Sequence, residues 1–107
     1  MKANQLNRGE ARRVMYVENK DGGIDGVSGR IGWVTFSKSG RSVYYRNRRL
    51  QRSGGQGIAG NCFDTETGEE YWVSGIKVGG GNTHWAEPKE VRVDADAKEE
   101  YERLKSR

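Results

Sequence analysis

The chain has 107 residues, with 19 Lys or Arg, 15 Asp or Glu, 16 Gly, and one each of Cys, His and Pro. This length gives one domain with one modest core, the lone Cys62 excludes an internal disulfide, and no run approaches the roughly 18 apolar residues of a membrane span. The polar start, Met1 to Glu10, has no apolar core of a secretory signal, so the chain reads as a cytoplasmic protein of a reducing compartment.

Residues 1–12 read as a flexible N-terminus, 13–93 as a β-barrel and 94–107 as a C-terminal helix. A first strand covers Arg13 to Glu18 (RVMYVE), rich in strand formers. A second runs from Ile31 to Phe36 and a third from Ser42 to Tyr45. A three-residue loop of Lys38, Ser39 and Gly40, with Gly40 left-handed, sets their register. Thr35 then faces Val43, and Trp33 faces Tyr45. One face holds Ile31, Trp33, Val43 and Tyr45; the other holds Val34, Phe36 and Tyr44. Both faces are apolar, whereas a half-exposed antiparallel strand alternates with polar residues. Either another segment covers the second face, or that face offers aromatics to a ligand; aromatics are more often core.

Asn47 tolerates a positive φ, which places a tight turn at Arg46–Asn47. A fourth strand follows over Arg48 to Arg52, with Leu50 facing in. SGGQGIAG is a loop by composition. The segment Ile58 to Phe63 leads into a hairpin with Glu66, Thr67 and Gly68 as its loop, Phe63 facing Tyr71 and Cys62 facing Trp72. That strand continues through Ile76 and Val78 with a bulge at Gly75, until GGGN breaks it. Thr83 to Ala86 and Val91 to Val93 are further short strands. Residues 95–106 read as a helix capped by Asp94 or Asp96, with Asp96 and Glu99 at capping-box spacing. Ala97, Tyr101 and Leu104 share one face. So short a helix is marginal alone, so Tyr101 and Leu104 dock on the barrel. Five or six short strands with Gly-rich turns predict a mostly β protein: a small antiparallel SH3-like barrel, with an OB-like barrel as the alternative.

Chemistry-bearing motifs are sparse. Gly55-Gln56-Gly57-Ile58-Ala59-Gly60 matches G-x-G-x-x-G, but a dinucleotide site needs a helix next, and NCFDTETG reads as strand and turn. Glycine amides beside Arg48, Arg49 and Arg52 could still nest an anion, although a plain loop is the commoner outcome. His84 and Cys62 have no metal-ligand spacing and no local catalytic signature. The pairs Glu69/Glu70 and Glu99/Glu100 sit in polar sequence with no cause for a raised pKa. The expectation is a non-enzymatic module with no catalytic residue, metal or cofactor.

Charge distribution is the strongest signal. Between Gly26 and Phe63 there is no acid, while Arg30, Lys38, Arg41, Arg46, Arg48, Arg49 and Arg52 supply seven cations; from Asp64 onward, eleven acids face seven bases. Arginine holds phosphate bidentately and stacks on bases. Trp33, Phe36, Tyr44 and Tyr45 lie among these cations, a mixture used by single-strand binders. Nucleic acid is therefore the first expected partner, bound through an Arg-rich hairpin with Trp33, Tyr44 or Tyr45 for stacking. A protein-interaction module, with a peptide in an aromatic groove near Trp72 or Trp85, is the alternative. Pairing of the arginines with Glu99, Glu100 and Glu102 of the helix would consume the patch. The oligomeric state is not legible.

IGWVTFSKSGRSVYYRNRRLQR, followed by NCFDTETGEEYWVSGIK and a Trp-containing end, resembles an uncharacterised family of small bacterial proteins over about residues 13–86. Some of its members carry a deoxyxylulose-phosphate synthase label. Such a synthase is several times longer and holds thiamine diphosphate through a GDG…N motif. Here Ile24-Asp25-Gly26 lacks the leading glycine. The resemblance implies a bacterial cytoplasmic origin and transfers no site residues.

Overall fold

A computed structural model of the chain describes residues 11–53, 61–76 and 90–106. Seven strands form: β1 (Ala11–Asn19), β2 (Gly29–Phe36), β3 (Ser42–Tyr45), β4 (Arg48–Arg52), β5 (Cys62–Asp64), β6 (Glu70–Ser74) and β7 (Val91–Val93). A 3-10 turn, Ala95–Ala97, leads into helix α1, Lys98–Lys105. Strands β1 to β6 pair consecutively and antiparallel, and β6 returns to β1, so six strands close a barrel. Strand β7 lies outside and runs parallel to the start of β2. This is the mostly β barrel with a C-terminal helix that the sequence predicts. Its consecutive pairing differs from the Greek-key order of the OB-like alternative.

The core explains why β1 and β2 are apolar on both faces. Met15, Val17, Val34, Val43, Tyr45 and Leu50 point into the barrel, joined by Cys62, Tyr71 and Val73. Val14, Tyr16 and Ile31 point outward and are buried with Ala97, with Trp33, Val93, Tyr101 and Leu104 packed against them. The C-terminal segment thus supplies the cover that the two-sided pattern required. Tyr101 and Leu104 dock as expected.

Both long hairpins differ from expectation by one residue. Thr35 pairs with Tyr44 and Phe36 with Val43; Cys62 pairs with Tyr71 and Phe63 with Glu70. Each loop has four residues instead of three, because side chains extend the turn. The Ser37 hydroxyl accepts the Ser42 amide at 3.1 Å and the Ser39 hydroxyl accepts that of Arg41 at 3.3 Å. In the second loop the Asp64 carboxylate accepts the amides of Glu66 and Thr67 at 2.7 and 3.3 Å. Gly40 and Gly68 are left-handed, both at φ +79°. A one-residue slip exchanges faces, so Tyr45 moves from beside Trp33 into the core, and Tyr44 moves from beside Phe36 to the outer wall opposite Thr35.

The tight turn at Arg46–Asn47 forms as predicted, with φ of 46° and 66°, and Leu50 is fully buried. A turn not anticipated, Asp25–Gly26, carries positive φ at both residues and folds Ile24 and Val27 into the core. It plugs the barrel end at which β1 finishes and β2 begins. Strand β6 stops at Ser74, short of the expected run to Val78. Val78 and the Thr83–Ala86 strand fall outside the described residues. The helix start also differs: Asp94 makes no side-chain cap bond, because its carboxylate is committed elsewhere.

Candidate functional site

The meander sorts the charges by barrel end. At the plugged end lie the Asp25–Gly26 turn, the Arg46–Asn47 turn and the β5–β6 turn with Asp64, Glu66, Glu69 and Glu70. At the opposite end, the mouth, β1 begins, the β2–β3 loop projects and β4 finishes. Arg12, Arg13, Lys38, Arg41 and Arg52 belong to those segments.

Three of the seven expected cations sit at the plugged end and are ion-paired, sharing the two carboxylates of Asp25 and Asp94. Arg30 is buried; it donates to the carbonyls of Ile24 and Asp25 and meets Asp94 at 3.0 Å. Arg46 meets Asp25 at 2.7 Å and Asp94 at 3.4 Å, and Arg48 meets Asp25 at 3.2 Å. The counter-ions lie outside the acid-free stretch: Asp25 immediately before it and Asp94 far beyond it. They are not the helix glutamates, among which Glu100 pairs with Arg103. Tyr45 is also withdrawn: it is buried, and its hydroxyl donates to Asp94 Oδ2 at 2.5 Å. Burial, then this bond, pushes its pKa well above the ordinary tyrosine value.

Hydrogen bonds from Arg46 and then Arg48 hold Asp25 down to about 2, from 3.8. A depressed carboxylate pKa gives stability that is present above the unfolded value and lost as pH falls through the folded one. The Asp25 side-chain carboxyl carbon is therefore expected to titrate near pH 2 by NMR. Replacing Arg46 and Arg48 with Gln should return the midpoint to the ordinary range. An ordinary midpoint in the unsubstituted protein would contradict these ion pairs.

The other four cations, Lys38, Arg41, Arg49 and Arg52, have no carboxylate within ion-pair distance among the described residues, and nor do Arg12 and Arg13. Arg12 and Arg13 went unremarked in the sequence because they precede the acid-free stretch; nothing local signals that β1 begins beside the end of β2. The register brings them there, with Ala11 opposite Phe36 and Arg12 opposite Thr35. At the mouth, a concavity of about 370 Å³ is lined by Arg13, Lys38 and Arg52 over Met15 and Phe36. The Arg52 guanidinium is held there by its Nε bond to the Gly40 carbonyl at 2.7 Å and lies 5.7 Å from the Phe36 ring. Arg41 flanks it, since the Arg52 amide donates to the Arg41 carbonyl.

On the outer wall a cross-strand row runs Arg12, Thr35, Tyr44, Arg49. A groove of about 450 Å³ follows it. Tyr44, 40% exposed, is the exposed large apolar side chain among the described residues. Trp33 also lines the groove, but Arg12 stacks on its ring at 4.1 Å and its indole N–H donates to the Asp96 carbonyl. The groove and the mouth meet at Arg12–Arg13 and Thr35–Phe36.

Cys62 is buried opposite Tyr71, and burial pushes its thiol pKa up, which suits an inert core residue. No group of three His, Cys, Asp or Glu among the described residues could hold a metal ion. His84, Trp85 and the Gly55–Gly60 motif lie outside the described residues. No helix among the described residues is long and apolar enough to cross a membrane. Comparisons with family models, curated proteins and solved structures return no match, so the site is read from its own residues.

Proposed function

We propose that the protein is a binding module for single-stranded nucleic acid, engaged at the barrel mouth and along the adjoining wall. The observation that carries this reading is the segregation of the mouth cations Arg13, Lys38, Arg41 and Arg52, which have no carboxylate partner among the described residues, from the carboxylates at the plugged end. A one-signed surface neutralises a phosphate chain without internal competition. Tyr44, flanked across the strands by Thr35 and Arg49, supplies an open ring face for a base. Trp33 and Tyr45 have structural roles in this reading, and Arg30 positions the C-terminal segment. The alternative, a peptide bound in an aromatic groove near Trp72 or Trp85, leaves this cationic surface without a role.

Fluorescence anisotropy with labelled single-stranded oligonucleotides tests the reading. If about four phosphates are neutralised, affinity falls about fiftyfold between roughly 50 and 200 mM salt. Replacing Lys38, Arg41 and Arg52 together with Ala should flatten the log–log salt slope by about 2. The paired Arg46 and Arg48, replaced together, should change it much less. Absence of binding at low salt, or a slope governed by Arg46 and Arg48 instead, removes the proposal.

A further inference from the structure

We propose that the cleft between α1 and the barrel wall is a separate site for a small organic monoanion with an apolar body, of the class of medium-chain or aromatic carboxylates. The cleft has a volume of about 410 Å³, in the range of small-molecule sites. Val14 of β1, Ile76 beyond β6 and Leu104 of α1 give it apolar walls. Arg12, Arg13 and Arg103 line it against a single acid, Glu100, so three positive charges less one negative leave a surplus of two. That acid is already occupied: Arg103 donates to both Glu100 oxygens at 2.7 Å. Apolar walls with a fixed surplus of guanidinium fit a ligand with one charged head and a greasy body. A bare anion leaves the walls unused, and a neutral apolar molecule leaves the cations unanswered.

Two further features suit such a ligand. Gly75 borders the cleft, and a Cβ built there meets none of the described residues within 4 Å, so a larger residue narrows the space. Helix α1 has eight residues, none of them fully buried, too few to be stable alone. A ligand reaching from Leu104 and Arg103 to β1 ties the helix to the barrel. This site shares Arg12, Arg13 and Trp33 with the cationic surface and does not rest on the nucleic-acid reading.

The test is a two-dimensional NMR titration of the full chain with octanoate, with acetate as head-only and octanol as body-only controls. Octanoate should give saturable shifts at the amides of Val14, Gly75, Ile76 and Leu104 and slow hydrogen exchange in α1. Each control should bind at least about tenfold more weakly. Gly75→Phe should weaken octanoate by about tenfold or more and leave oligonucleotide binding unchanged. Absence of saturation at those four amides, equal binding of octanol, or shifts centred on Met15 and Phe36 at the mouth would overturn the proposal. The map on the unsubstituted protein decides the matter even if Gly75→Phe does not fold.

Discussion

Gly32→Ala is expected to destabilise the protein by about 3–5 kcal/mol, the range for breaking a buried ion pair. Gly32 sits in the middle of β2, where a glycine ordinarily weakens a strand. It is there because two side chains use the space its Cβ would fill. An added Cβ would overlap Asp94 Oδ2 and lie 2.8 and 2.9 Å from the Tyr45 Cε1 and hydroxyl oxygen. Neither group can swing clear cheaply. Tyr45 is packed in the core, and Asp94 is fixed by Arg30, Tyr45 and the backbone bond from its amide to the Ile31 carbonyl. Displacing the carboxylate strands the buried Arg30. The measurement is the urea midpoint at unchanged m-value; a loss below about 1 kcal/mol would show that the site relaxes freely.

Asp94→Ala should cost a comparable amount, about 3–5 kcal/mol, by leaving the buried Arg30 charge uncompensated and the Tyr45 hydroxyl without its acceptor. Asp94 also joins β7 to the turn before α1, so the C-terminal segment should lose hydrogen-exchange protection before the barrel does. The two substitutions act on one point and should not add. With the Asp94 carboxylate gone, Gly32→Ala loses its tightest contact, and the double variant should recover about 1–3 kcal/mol relative to the sum. Additivity within about 0.5 kcal/mol would separate Gly32 from the network.

The sequence made the barrel legible because its signals are local. Left-handed glycines, Asn47 at a tight turn and the runs of β-branched and aromatic residues in β1 to β3 need no partner to be read. Loop length was legible only in part. Ser37, Ser39 and Asp64 are turn formers whose side chains take up loop amides, and each hairpin gains one residue from them. That single residue moved Tyr45 from the candidate surface into the core. The charge pattern was legible as an acid-free run, but a linear window cannot see Asp25 one residue before it or Asp94 across the fold. Nor can it see that β1 brings Arg12 and Arg13 to the mouth. The Asp25–Gly26 turn, whose aspartate pairs with Arg46 and Arg48, went unread, although Asp-Gly between two apolar residues is a turn signal.

The central claim is that the cations with no carboxylate partner among the described residues lie at the barrel mouth and along the adjoining wall and engage a phosphate chain there. An NMR footprint of a short single-stranded oligonucleotide on the labelled protein tests it most directly. The account predicts shifts at Lys38, Arg41, Tyr44, Arg49 and Arg52, with Asp25, Arg30 and Gly68 unmoved. A footprint centred on the plugged end, or no footprint at low salt, would contradict it.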